Sequence, residues 1–232
     1  MNLGVVRDRF YVRHQIVNLE ENLTTEFKGH RSIAMDDVNP RHWNPNNVRN
    51  DGRTRQSWSK YILGFLNSGS GGTLYGGILD NGSVSGISLS PHQMDHVQRE
   101  VERCLSRYSP PCSIDRVKLQ FVPVVEQGEE EEMAPLDPVV ESVRFQKLEH
   151  RLGHPDYCWC DCEAMASFGR GLLLPWYVIE LEVVGGLGEE RRKVYCKAED
   201  GNIYIRKHGM TELYSESEIE EMEKLVEHCM YV

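Results

Sequence analysis

At 232 residues, 40% hydrophobic and 27% charged, the chain has the size and composition of one substantial soluble domain or two small ones. No apolar run approaches the ~20 residues that a membrane-spanning helix needs. The first residues also lack the apolar core of a secretory signal, so a cytoplasmic protein with no membrane partner is expected. Seven cysteines without scaffold spacing fit a reducing compartment rather than a disulfide framework. The net charge of −10 disfavours a uniformly basic nucleic-acid binder, but it is unevenly spread. Residues 1–80 hold ten Lys and Arg against eight Asp and Glu, whereas residues 81–232 hold 16 against 28.

In chain order, "RFYVRHQIV" (9–17) alternates as a strand. The stretch "EENLTTEFKG" (20–29) is also strand-like and places Glu21 and Glu26 five residues apart. That spacing suits neither a strand face nor a helical ion pair. It suits two acids meeting across a bend. Residues 30–56 contain five Arg, five Asn and two Pro with no periodicity, which predicts a long basic loop. "SWSKYILGFLNS" (57–68) spaces its apolar residues as an amphipathic helix with Ser57 as candidate cap, and "GSGG" stops it.

"TLYGGIL" (73–79) predicts a buried strand, "DNG" (80–82) a tight turn, and "SVSGISL" (83–89) the returning strand. Residues 90–108 open with Ser-Pro and keep apolar periodicity at 94, 97, 101, 104 and 105, a second helix. "DRVKLQFVPVV" (115–125) reads as a strand. Residues 126–172 form an irregular insert with a Glu run and "HPDYCWCDC", whose closely spaced thiols are either a metal loop or incidental. Strands are predicted again at 176–184, 193–198 and 202–209, with an acidic helix over 215–228. The order predicts one α/β (α+β) domain over 1–232, with a mixed, largely antiparallel sheet and flanking helices.

Three acids stand out as candidate chemistry: Glu21, Glu26 and Asp80, the last ending a buried strand on a Gly-flanked turn. Converging carboxylates make the hard-oxygen site that Mg²⁺ or Mn²⁺ prefers, and such ions activate water against a phosphodiester. Spacing alone favours the plainer reading, that all three are solvated acids at strand ends. The glycines of 67–87 follow a helix and precede a strand, the reverse of a phosphate loop, so nucleotide binding at Gly71 and Gly72 is the weakest reading. Arg31, Arg53 and Arg55 of the basic loop, with Trp43, suit single-stranded nucleic acid, or simply a solvated loop.

The ordered motifs "ENLTTEFKG" and "YILGFLNSGSGGTLYGGILDNGSVSGI" resemble the Schlafen core, an AlbA-type domain with an E(x4)EFK motif, a helix–strand junction and a G-(V/I)-x-D turn. The resemblance is best over 18–108 and weaker through 115–125 and 176–206. It implies a metal-dependent endoribonuclease acting on RNA such as tRNA or small-RNA (piRNA) precursors. Glu21, Glu26 and Asp80 would then be the catalytic acids holding Mg²⁺ or Mn²⁺. Lys28, with Arg31, Arg53, Arg55 and Lys60, would hold the RNA backbone.

Vertebrate Schlafen cores pair two lobes. This chain has the length of one, which implies a homo- or hetero-oligomer with another Schlafen-like chain. Of the family's structural zinc site, only Cys112 and Cys196 fall near the expected positions, which leaves Zn²⁺ an incomplete candidate. The alternative function is a non-catalytic nucleic-acid-binding or assembly module of a Schlafen-type complex.

Overall fold

The computed structural model describes residues 4–6, 8–29, 58–128, 175–185, 195–198 and 201–221. Its elements are β1 (Tyr11–Val12), β2 (Thr25–Lys28), α1 (Trp58–Ser68), β3 (Gly72–Gly76), β4 (Ile87–Ser88), α2 (Pro91–Arg107), β5 (Val117–Val125), β6 (Trp176–Val183), β7 (Ile203–Lys207) and β8 (Met210–Tyr214). One sheet runs β1-β5-β6-β3-β2, with β4 also paired to β6; β7 and β8 form a separate hairpin. The pairs β1–β5 and β2–β3 are parallel, and the others are antiparallel. This is the mixed α+β architecture that the element order predicts.

Strand register sorts the side chains by face. Leu119, Leu181 and Leu74 lie abreast across β5, β6 and β3. With Phe121, Ile179 and Val183 they meet Trp58, Ile62, Phe65, Met94, Val101 and Leu105 from the two helices in the main core. Glu26 is the register partner of Leu74 and so shares the helix-covered face. Its neighbour Phe27 pairs with Tyr75 and joins the smaller cluster of Ile78, Val84 and Val178 on the opposite face.

α2 forms where its sequence signals lie. The Ser90 side chain accepts from Gln93 N, and Gln93 Oε1 accepts from Ser90 N, a complete capping box with Pro at the first turn. All five periodic apolar residues are buried.

Several strands are shorter than the sequence suggests. The strand expected over 9–17 is confined to Tyr11–Val12, because the chain turns at His14 with φ 64° before Ile16 bridges Ser83. The return strand over 83–89 is interrupted where the N–H groups of Ser85 and Gly86 both donate to Gly77 O, leaving Ile87–Ser88. Within 193–198, the described residues carry one bridge, Ser109 to Lys197. β8 is an addition that the sequence reading missed. The chain reverses at His208 and Gly209, with φ 51° and 80°, a hairpin without the usual Asn-Gly signal. A helix begins at Glu216, capped reciprocally by Ser215 and Glu218.

Candidate functional site

The candidate site is built on β2, which lies at the edge of the main sheet. An edge strand leaves every second N–H and C=O facing outward. Here side chains and a turn satisfy that row. Phe27 N donates to Glu21 Oε1 at 2.9 Å, and Phe27 O accepts from Lys28 Nζ at 2.7 Å. Thr25 O accepts from Asn22 N at 3.1 Å and from Arg206 at 2.7 Å. Glu21 thus folds back onto the strand that carries Glu26, which is what the five-residue spacing accomplishes.

Glu26 is buried and has a cation on each oxygen. Lys28 Nζ binds Oε1, and the Arg206 guanidinium donates to Oε2 at 2.6 Å. Arg206 also donates to Asn22 O, at 3.0 and 2.6 Å, and lies over the Phe65 ring. Its side chain is 0% exposed, so the charge is compensated wholly by these partners. Sequence reasoning missed Arg206. The only signal was a cation inside the apolar strand "NIYIRK", whose alternation gave no hint of burial.

Tyr61, on α1, ties the group together. Lys28 Nζ and Lys60 Nζ stand 4.3 and 5.2 Å from its ring centroid, and Lys60 also faces Tyr204 at 5.9 Å. The Tyr61 phenol is pushed well above its ordinary range, first by burial and then by the charges of Glu26 and Glu21. Arg206 opposes the shift and Asp80 adds to it. Tyr61 therefore stays a neutral hydroxyl. Burial pulls the Lys60 ammonium down to about 8, with the charge of Lys28 contributing and Glu26 opposing. Asp80 lies exposed on the turn that closes at Gly82 N to Leu79 O.

The donor set is all oxygen, the chemistry that Mg²⁺ or Mn²⁺ favours. As placed, it does not fit such an ion. Glu26 has both oxygens committed to cations and Glu21 has one on a backbone N–H. Among the described residues no group of three or more His, Cys, Asp or Glu is arranged to hold a metal.

The other expected residues distribute as follows. Arg31, Arg53 and Arg55 lie outside the described residues, as do the insert thiols Cys158, Cys160 and Cys162 and the cap Ser57. Cys112 and Cys196 are free, half-buried thiols whose ionisation burial pushes up; Cys196 adds to the shift at Cys112. Gly71 and Gly72 are filled from within. A Cβ at Gly71 would meet Val183 O at 2.4 Å, and one at Gly72 would meet Phe65 Cε1 at 2.4 Å. Among the described residues no helix is long and apolar enough to cross a membrane.

The motif Asn67, quoted above only as part of a junction, is a cross-tie. Its Nδ2 donates to Cys196 O and Tyr204 O at 2.9 and 2.8 Å, and its Oδ1 accepts from Cys196 N at 2.8 Å. It holds the β7 strand beside α1, and with it Arg206.

A family model described as "Schlafen, AlbA_2" matches residues 21–215, which include every site residue above.

Proposed function

The chain belongs to the Schlafen AlbA_2 family, and from that premise we propose that it is an endoribonuclease domain, or the catalytic subunit of one. Family membership by itself points to a nucleic-acid-related function. The observation that supports the finer reading is the shared environment of Tyr61. Lys28 and Lys60 stand over its ring, and Lys28 also holds the buried Glu26 carboxylate. A carboxylate beside two ammonium groups supplies parts that phosphodiester cleavage uses.

In this reading Lys28 and Lys60 receive the RNA phosphates, and Arg206 fixes the Glu26 carboxylate. The neutral Tyr61 hydroxyl donates toward a phosphate oxygen. RNA is the partner, and a second Schlafen-type chain would complete the RNA-binding surface.

The test is cleavage of a 5′-labelled structured RNA by the full chain with Mn²⁺, Mg²⁺ or EDTA, beside Asp80→Ala. Asp80 is exposed, so its loss leaves folding intact. Cutting that Asp80→Ala lacks, with RNA binding retained, is the expected result, and the EDTA arm reads whether an ion takes part. A folded chain that binds RNA and never cuts it overturns the enzyme.

A second reading, a non-cleaving RNA-binding module, is favoured by one observation: Glu26 is already neutralised by Lys28 and Arg206. It predicts RNA binding that EDTA leaves unchanged.

A further inference from the structure

The buried charges beside Tyr61 do not cancel. Glu26 and Arg206 are buried and Lys28 and Lys60 are half-buried, so three cations face one carboxylate, an excess of two positive charges. Glu21 and Asp80 are exposed, where water and salt screen them. The carbonyls of Asn22 and Thr25 accept from Arg206 but carry no net charge, so they leave the excess in place.

The excess shows at Lys60. Among the described residues no acceptor takes a hydrogen bond from its ammonium, which is held instead by two rings, Tyr61 at 5.2 Å and Tyr204 at 5.9 Å. Ring faces attract a cation without neutralising it. Lys28 Nζ stands 4.3 Å from the same Tyr61 ring, and its repulsion at Lys60 outweighs the attraction of Glu26. Lys28 donates to Glu26 Oε1 and to Phe27 O, which leaves one of its three N–H groups. The two ammonium groups can therefore serve one added acceptor while every existing contact of Lys28 stays in place.

The size of the excess sets the kind of acceptor. An internal phosphodiester brings one negative charge. A phosphomonoester brings about two at neutral pH, with three oxygens that accept. We propose that Lys28 and Lys60, over the Tyr61 ring, form a subsite for a dianionic phosphomonoester, so that the chain prefers RNA bearing a terminal phosphate to the same RNA ending in a hydroxyl. The inference rests on the RNA-binding part of the proposed function and adds a substrate class to it. Its test reads binding, not cleavage.

The experiment is fluorescence anisotropy of the full chain with one short, internally labelled single-stranded RNA. The RNA carries hydroxyls at both ends, a 5′-phosphate, a 3′-phosphate, or either phosphate as its methyl ester, which keeps the group and removes one charge. Should the wild type cut the probe, Asp80→Ala takes its place. The expected result is that a phosphate at one end tightens binding roughly tenfold. Its methyl ester should bind like the hydroxyl end, and Lys60→Gln should bind all forms alike. Should Lys60→Gln lose its native circular dichroism melt, Lys28→Gln locates the subsite in its stead.

Equal binding of phosphate and hydroxyl ends by the folded chain overturns the proposal. So does a methyl ester that binds as tightly as the monoester, or a preference that Lys60→Gln retains. Uridine 5′-monophosphate and inorganic phosphate are the competitors. Displacement by either as effective as by the phosphate-ended RNA would make the ligand a free phosphate compound and overturn the assignment to an RNA end. The outcomes separate from the cleavage assay. A preference in a chain that never cuts RNA leaves the subsite standing and the enzyme reading refuted, and cutting without a preference refutes the subsite alone.

Discussion

Arg206 donates to Glu26 Oε2 at 2.6 Å across 180 positions of sequence, joining the β7–β8 hairpin to the edge of the main sheet. The two partners are not equally replaceable. Without Arg206, Glu26 retains Lys28, but Asn22 O and Thr25 O lose buried, charge-assisted donors. Without the Glu26 charge, Arg206 keeps both carbonyls. Arg206→Met should therefore cost roughly 3–5 kcal/mol in urea unfolding and Glu26→Gln less. The double variant should cost less than the two singles together by about 1–3 kcal/mol. Additive losses, or a larger loss from Glu26→Gln, would show that the ion pair is not what joins the two elements.

The glycines after α1 make room rather than hold a ligand. A Cβ at Gly72 would sit 2.4 Å from Phe65 Cε1 and 2.7 Å from Thr24 O. Gly72→Ala should lower stability by roughly 1–3 kcal/mol, since the ring or the strand must shift. Gly128, with φ 96°, is the control, because a Cβ added there would meet nothing within 4 Å; its alanine variant should cost about 1–2 kcal/mol, from backbone strain alone. The same assay addresses the nucleotide reading. Saturable ATP binding that Gly72→Ala removes without a change in melting temperature would restore that reading.

Local chemistry was legible in the sequence, and long-range chemistry was not. The Ser90 capping box and the periodicity of Met94 to Leu105 involve neighbours within a turn or two, so α2 could be read with its bounds nearly correct. The bend that returns Glu21 to β2 was legible in its five-residue distance from Glu26. What Glu21 meets was not: the Phe27 N–H that it caps faces outward only because β2 is an edge, and an edge is a property of the whole sheet. Arg206 was silent for the same reason, since its partners lie on β2 and the turn before it. β8 escaped because His208-Gly209 is an unusual hairpin turn and Met210 and Leu213 remain exposed, leaving no alternating pattern to read.

Asn67 should prove more than a junction residue. Asn67→Ala removes three hydrogen bonds that span from α1 to Cys196 and Tyr204, a loss of about 2–4 kcal/mol. Asn67→Asp keeps the acceptor for Cys196 N but places a carboxylate against two carbonyl oxygens. It should be at least as destabilising as alanine at neutral pH. An aspartate variant as stable as wild type would mean that the amide donors are not what holds β7 to α1.

Lys60 gives two observables that move in opposite directions with pH. Its ionisation in the folded chain falls to about 8, below the ordinary lysine value of 10.5. Between those values the unfolded chain binds a proton that the folded chain does not, so stability should rise with pH from about 8 upward and stay flat below it. Phosphate binding needs the ammonium, so RNA affinity should fall as pH rises through the same window. Lys60→Gln should flatten both trends and reduce the slope of log affinity against log salt by about 0.7 for a single-stranded RNA. Lys60→Arg should hold RNA affinity constant to pH 9.5, because a guanidinium does not titrate there. The measurements are urea unfolding and the fluorescence anisotropy of a labelled RNA, each from pH 7 to 9.5. Affinity that falls equally in wild type and Lys60→Gln would remove Lys60 from the RNA contact while leaving its buried, shifted charge in place.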